Sequence, residues 1–435
     1  MSSDLKGKKL LVLGANPESI PIIEIAKKMG VITYVTSNRP EDPAMLVADH
    51  PCSVDGMDVD GLIELVRSEN IDGVMVGVAD VLVPSYAYVC ERLGLPCYAS
   101  SKSVNVFAFK DNFKRTCESF GIHGIPEFKL DENLNREDLD KIVYPVMVKP
   151  VDAYSGLGMT VCYNESEIPG AVKKALTYSK KKRFIIERYM LCDDTAVYYT
   201  FKDGYYSVSC LFDRHTTSDQ PGLARVNLGS TYPSLHTKDY IEKVHPKAIK
   251  MFESLGIRNG VFLMQAFYEN GEFYVYDPGF RLQGEGCHLL TLAINGFDQR
   301  EMLIRFALTG NEGDINLEKE DDVYFRGKSA ATFWILLKSG KIGKIEGIDE
   351  IEKDSRCIFN FQRFHEGDEV QTDWVGTEKQ VFTRLYLVCD SKEDLASTLL
   401  EYMDKIKVYD INGENMVLRG FDVNKALNLN HRRNV

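Results

Sequence analysis

Residues 148–160 read VKPVDAYSGLGMT. An apolar run brings Lys149 and Pro150 to a strand end. Small residues then break the chain at Ser155, Gly156 and Gly158, and an extended run resumes at Met159. Glycines let backbone N–H groups approach phosphate oxygens, and a lysine at the strand end neutralises their charge. An ordinary hairpin turn with a solvated lysine has the same pattern. Whether the stretch holds phosphate depends on whether the rest of the chain supplies the partners of a phosphate site.

The chain has 435 residues, of which 44% are hydrophobic and 27% charged. That length fits roughly two to four domains of ordinary globular composition. The net charge of -12, from 52 basic and 64 acidic side chains, argues against nucleic acid or an anionic membrane as the main partner. No apolar run approaches the roughly 18 residues of a membrane span, and the start, MSSDLKGKKLLVLGAN, lacks a signal-peptide pattern. The ten cysteines are scattered without a C-x-x-C pair. They predict reduced thiols in a cytoplasmic protein. The eight histidines form neither H-x-x-H nor H-E-x-x-H, so zinc has little support.

Three short apolar runs, KLLVL, VITYVTS and DGVMVGV, alternate with amphipathic helical stretches over about the first 100 residues. In GANPES, Asn16 reads as an N-cap with Pro17 at the first helical position. The β-α-β-α-β order predicts a parallel sheet with helices on both faces. The first turn lacks G-x-G-x-x-G, which disfavours a dinucleotide oxidoreductase. After residue 109 the pattern becomes α+β. Hairpins are predicted at Asp203-Gly204 and Asn270-Gly271, and strands flank the loop of the opening stretch. GDINLEKEDDVYF reads as a linker or exposed excursion. Strands and one amphipathic helix fill the tail, with no internal repeat.

Several chemistry-bearing residues follow in order. Lys110 opens a helix eleven residues before Gly121, and Lys149 precedes the Ser/Gly loop. FIIERYM contains Glu187, with Asp194 seven residues later. YVYDPGFRLQGE places Asp277 four residues before Arg281. This ordered set resembles the ATP-grasp superfamily of carboxylate–amine ligases, over most of the chain. The fold implied is α/β plus α+β. An N-terminal parallel-sheet pre-ATP-grasp domain spans 1–109, a nucleotide-binding and catalytic region 110–310, and a mixed α+β C-terminal domain 311–435.

The resemblance implies roles residue by residue. Lys110 and Lys149 contact ATP phosphates, and Ser155, Gly156, Leu157 and Gly158 form a loop that closes over them. The backbone of Glu187, Arg188, Tyr189 and Met190 contacts adenine. Asp194 binds the ribose hydroxyls, with Asp193 as its rival. Asp277 and Gln265 occupy the magnesium positions, and Arg281 steadies the transferring phosphoryl group. The magnesium signature departs from the family pattern, because Gln265 is neutral and Gly279 stands where an asparagine is usual. That puts a second Mg2+ in doubt and leaves Glu285 as a compensating acid. Arg214 and Arg225, with Asp213 and His215, are substrate candidates. The implied reaction activates a small carboxylate, such as an amino acid, as an acyl-phosphate for attack by an amine. Biotin-carboxylase or carbamoyl-phosphate-type activation of bicarbonate is the alternative, although the sequence shows no charged bicarbonate cluster. A non-catalytic ATP-binding module is another alternative. Many relatives are homodimers, so a homodimer is a further implication.

Overall fold

The structure, a computed structural model, describes residues 4–151, 158–218, 225–418 and 420–429. Four parallel strands, β1 (Lys9–Leu13), β2 (Ile32–Thr36), β3 (His50–Cys52) and β4 (Gly73–Val76), lie in the order β3-β2-β1-β4. Residues 10–13 and 74–76 are fully buried, so these short apolar runs read as covered strands. Helices α1 (Ile20–Lys28), α2 (Val59–Glu69) and α3 (Val83–Leu93) connect or flank them. Asn16 makes no side-chain cap bond; a 3-10 turn, Pro17–Ser19, intervenes before α1.

The strand order reverses between β1 and β4. The loops after these two strands, 14–19 and 77–82, therefore border the crevice where open α/β sheets take ligands. A helix from much later in the chain, Gln299–Thr309, packs against α1, β1 and β4. It approaches so closely that a Cβ on Gly73 would stand 2.2 Å from the Ala307 carbonyl oxygen.

The second sheet has ten strands. Nine follow in the order Cys357–Gln362, Val381–Cys389, Ser329–Leu337, Asn227–Tyr232, Tyr205–Thr216, Asp193–Lys202, Gly260–Glu269, Glu272–Gly279, His123–Gly124, and Val417–Leu418 pairs beside Ser329–Leu337. The expected 110–310 and 311–435 units thus share one sheet, joined where Gly229 pairs with Phe333. Both predicted hairpin turns form with left-handed residues, Asp203 and Gly204 at φ 54 and 88°, and Asn270 and Gly271 at 52 and 85°. The segment expected to be a linker is tied down instead. Leu317 is buried in the short Leu317–Glu320 helix, and Ser209 Oγ donates to Asp321 at 2.7 Å.

A smaller sheet, Glu127–Phe128, Phe184–Arg188, Val146–Pro150 and Thr160–Cys162, carries the opening stretch. It has its own core, built by Val146, Val148, Cys162 and Ile186 against the Ile168–Tyr178 helix. No helix among the described residues is long and apolar enough to cross a membrane.

Two predictions follow from the packing. Gly73→Val pushes a side chain into the Ala307 backbone and is expected to destabilise by about 1–3 kcal/mol, as overpacked cores do; denaturant titration measures it. Glu312 is 4% exposed and accepts from Gly260 N at 3.1 Å. Burial pushes its carboxyl from 4.5 up to about 8. The folded state then holds a proton that the unfolded chain releases, so this contribution to stability is present below pH 4.5 and is lost as pH rises to about 8. Glu312→Gln is expected to flatten that slope in denaturation midpoints measured from pH 4 to 9.

Candidate active site

The strand Val146–Pro150 alternates, with Val146, Val148 and Pro150 buried and Met147 and Lys149 on the opposite face. Glu187 pairs with Met147 in register on that face, and Lys149 Nζ reaches it in an ion pair. Gly158 closes the loop at φ 77°; a Cβ there would stand 2.8 Å from Tyr178 Cβ. Ser155, Gly156 and Leu157 lie outside the described residues.

The expected adenine segment begins at the next strand end. Backbone N–H groups of Arg188 and Tyr189 donate to the carbonyls of Pro126 and Pro145, at 2.9 and 2.8 Å. A purine would have to meet other atoms of this segment. Met190 is buried. The Arg188 guanidinium grips Glu269 with two bonds, 2.6 and 2.9 Å, and so ties the small sheet to the large one. Arg225 lies over the Tyr189 ring, 5.2 Å from its centroid.

On the large sheet, register brings Asp194, Gln265 and Asp277 to a shared face. Ala196 pairs with Gln265, Gln265 pairs with Asp277, and Asp194 pairs with Phe267. Lys110 opens the Lys110–Ser119 helix and is 71% exposed, yet its Nζ stands 2.7 Å from Asp277 Oδ1. The two are 167 positions apart in the chain. Asp277 and Gln265 supply two hard oxygens side by side, which fits one Mg2+ that completes its shell with phosphate and water. Among the described residues no group of three or more His, Cys, Asp or Glu gathers for a metal. Glu285 does not join them; it faces Arg214 at 3.4 Å and Gln283 at 3.1 Å.

Asp194 is committed as well. Tyr276 Oη donates to it at 2.9 Å, and Arg214 Nη1 donates at 3.1 Å. Burial pushes its carboxyl up, and Arg214 and Tyr276 pull it back. Asp193 points away and meets His236 at 2.9 Å. Arg214, a substrate candidate from the sequence, is held by Asp194, Tyr276 and Glu285. These partners take both Nη atoms, and Arg214 Nε is buried without a hydrogen-bond partner among the described residues. Asp213 and His215 also make internal bonds, to Ser234 and Leu235 and to Thr231. His288 is packed, and burial pushes its imidazole down to about 3.

Arg281 pairs with Asp80, in the loop after β4, and its Nη1 donates to the Leu282 carbonyl at 2.8 Å. Glu18, in the loop after β1, meets Arg363 at 3.1 Å and Arg384 at 3.5 Å. Arg384 Nη1 also donates to the Gly284 carbonyl at 3.0 Å, and Tyr386 Oη donates to the Glu285 carbonyl at 2.8 Å. Sequence reasoning missed Glu18, Asp80, Arg363 and Arg384. The signal available for Arg384 was a lone arginine within the apolar run VFTRLYLV. It is 3% exposed and its guanidinium stacks 4.2 Å from the Trp334 ring.

A charge-assisted phosphate contact is worth about 1.5–3 kcal/mol, or about tenfold and more in affinity. In the functional reading proposed below, Lys149→Ala is expected to weaken MgATP binding by about tenfold or more in titration calorimetry, and, because Glu187 is 12% exposed and loses its partner, to lower the denaturation midpoint as well.

Residues 110–312 match the family model "Carbamoyl-phosphate synthase L chain, ATP binding domain". A formate-dependent phosphoribosylglycinamide formyltransferase from Sulfurisphaera tokodaii is 24% identical over 310 residues, covering 69% of this chain and 76% of the relative. A carbamoyl phosphate synthase large chain from Clostridium botulinum is 21% identical over 289 residues, covering 62% of this chain and 26% of the relative. Among solved structures, phosphoribosylglycinamide synthetase from Anaerococcus prevotii superimposes with TM-score 0.76 at 18% identity, over 93% of this chain and 100% of the other. L-amino acid ligase from Bacillus licheniformis gives 0.73 at 19%, over 93% and 99%. Residues 110–312, just under half of the chain, thus resemble the carbamoyl-phosphate synthase ATP-binding family, and the fold is shared with ligases and biotin carboxylases of the ATP-grasp type.

Proposed function

We propose that the protein is an ATP-dependent ligase that activates a small carboxylate as an acyl-phosphate and passes the acyl group to an amine. The observation that carries this reading is the 2.7 Å approach of Lys110 to Asp277. A phosphate-type lysine and a magnesium-type acid, far apart in sequence, meet beside Gln265 on one sheet face. Lys110, Lys149 and residues 155–158 hold the phosphates. The segment Glu187–Met190 takes the base, and Asp194 borders the sugar. Asp277 and Gln265 would hold a magnesium ion, which would supply charge screening for the phosphates.

The carboxylate takes the crevice at the reversal point between β1 and β4, bounded by Glu18, Asp80, Arg281, Arg363 and Arg384. Its oxygen attacks the γ-phosphorus, the bond to the β-bridging oxygen breaks, and ADP leaves. The amine nitrogen then attacks the acyl carbon, the carbon–oxygen bond to phosphate breaks, and the amine proton passes to solvent. No protein nucleophile is needed; positioning and charge neutralisation carry the work. Arg281 offers a planar, permanent fork to the developing phosphoryl charge. An incoming anion competes with Asp80 for it.

One observation favours a second reading, activation of bicarbonate. Arg384 docks on the Gly284 carbonyl, next to Gln283 and Glu285, and makes a compact polar corner that the linear sequence hides. The matched relatives named for formate-dependent formyl transfer and for carbamoyl phosphate synthesis also lean towards very small carboxylates.

The test is phosphate release from MgATP with formate, bicarbonate and amino acids, each with and without an amine. Release that requires both a carboxylate and an amine, and falls at least a hundredfold in Arg281→Ala, is the expected result; loss of one preorganised charge contact at the transition state costs about that much. Release with bicarbonate alone selects the second reading. MgATP binding with no release under any condition leaves a nucleotide-binding module and removes both.

A further inference from the structure

Arg214 joins two parts of the molecule that the proposed reaction must keep in step. It stands on the Tyr205–Thr216 strand, directly opposite Asp194 on the neighbouring strand. Its Nη1 donates to Asp194 Oδ2 at 3.1 Å and to Tyr276 Oη at 3.0 Å. The Tyr276 ring lies stacked on Phe267 at 4.7 Å, which carries its hydroxyl across one strand to Asp194. Tyr276 immediately precedes Asp277 in the chain. The other arm of the same guanidinium, Nη2, reaches Glu285 at 3.4 Å. Glu285 in turn accepts from Gln283, and its backbone carbonyl is held by Tyr386. The side chains of Arg214, Asp194 and Glu285 are each 14–15% exposed, so the bridge is shielded from competing water.

A planar fork with two arms can hold two carboxylates at fixed separation, and a lysine ammonium cannot reproduce that geometry. We propose that Arg214 is a positioning residue that couples the nucleotide face, through Asp194 and Tyr276, to the 281–286 loop, through Glu285. This rests on the functional reading above, in which 281–286 borders the carboxylate. Displacement of Asp194 or Tyr276 by a bound nucleotide is transmitted to Glu285 by one rigid group. Its role is to make phosphoryl transfer wait for the carboxylate.

The test uses Arg214→Lys, which keeps the charge, and Tyr276→Phe, which keeps the stacked ring and removes the hydroxyl bridge. Three quantities are read on the full chain: MgATP affinity by calorimetry, the ratio of carboxylate-stimulated to unstimulated phosphate release, and amide hydrogen exchange of residues 281–286 with and without MgATP. In the wild type MgATP is expected to slow exchange in 281–286. In Arg214→Lys, read at saturating MgATP, the stimulation ratio falls by about tenfold or more and the exchange response of the loop is lost. Tyr276→Phe gives an intermediate loss. A stimulation ratio and loop response unchanged in Arg214→Lys overturn the proposal, as does a wild-type loop that ignores MgATP. Failure of the functional reading shows separately, as wild-type protein that no carboxylate stimulates. The exchange comparison between wild type and variant still decides the coupling in that case.

Discussion

A site for a polyphosphate gathers cations, and gathered cations repel one another until the ligand arrives. In this chain the following cations are each paired with an acid. Lys110 has Asp277, Lys149 has Glu187, Arg281 has Asp80, and Arg363 and Arg384 share Glu18. Arg214 takes two, Asp194 and Glu285. The exposed pairs contribute little to stability. In the proposed reading, the pairs of Lys110, Lys149 and Arg281 hold those side chains extended towards the place where ligand charge would stand, so that binding exchanges one anion for another.

In the proposed reading, that exchange draws on four stretches of chain brought to one corner. Glu18 and Asp80 come from the two loops at the strand-order reversal of the N-terminal sheet. Arg281 and Glu285 follow the Glu272–Gly279 strand, and Arg384 comes from an interior position of the Val381–Cys389 strand. Each contributes one partner of a pair, so no stretch forms the corner alone. The ten-stranded sheet fixes their distances, because residues on both sides of position 311 belong to it.

Local patterns in the sequence were enough to read much of the fold. The Asn270-Gly271 and Asp203-Gly204 turns announce themselves because few residues accept left-handed backbone. The N-terminal sheet announces itself through short apolar runs between amphipathic helices. Lys110, Lys149 and Asp277 were legible because the ordered set resembles a known superfamily, and spacing alone would not have singled them out. What was hidden depends on pairing between distant strands. Nothing near Arg214 in sequence shows that it faces Asp194 and Glu285, and nothing near Arg384 shows that it docks on Gly284. The neutral Gln265 was visible as a departure. That it lies beside Asp277, which faces Lys110, needed the register of the Gly260–Glu269 and Glu272–Gly279 hairpin.

The Gln299–Thr309 helix lies directly on β4, with Gly73 bare against the Ala307 carbonyl. The N-terminal sheet therefore completes one of its faces with residues made some 200 positions later. At synthesis rates of about 5–20 residues per second, that face waits on the order of 10–40 seconds beyond the ribosome before its cover arrives. During this interval the apolar side chains of β1 and β4 are open to other chains. A part that in sequence looks like a self-sufficient domain is therefore closed only once residues 299–309 have been made.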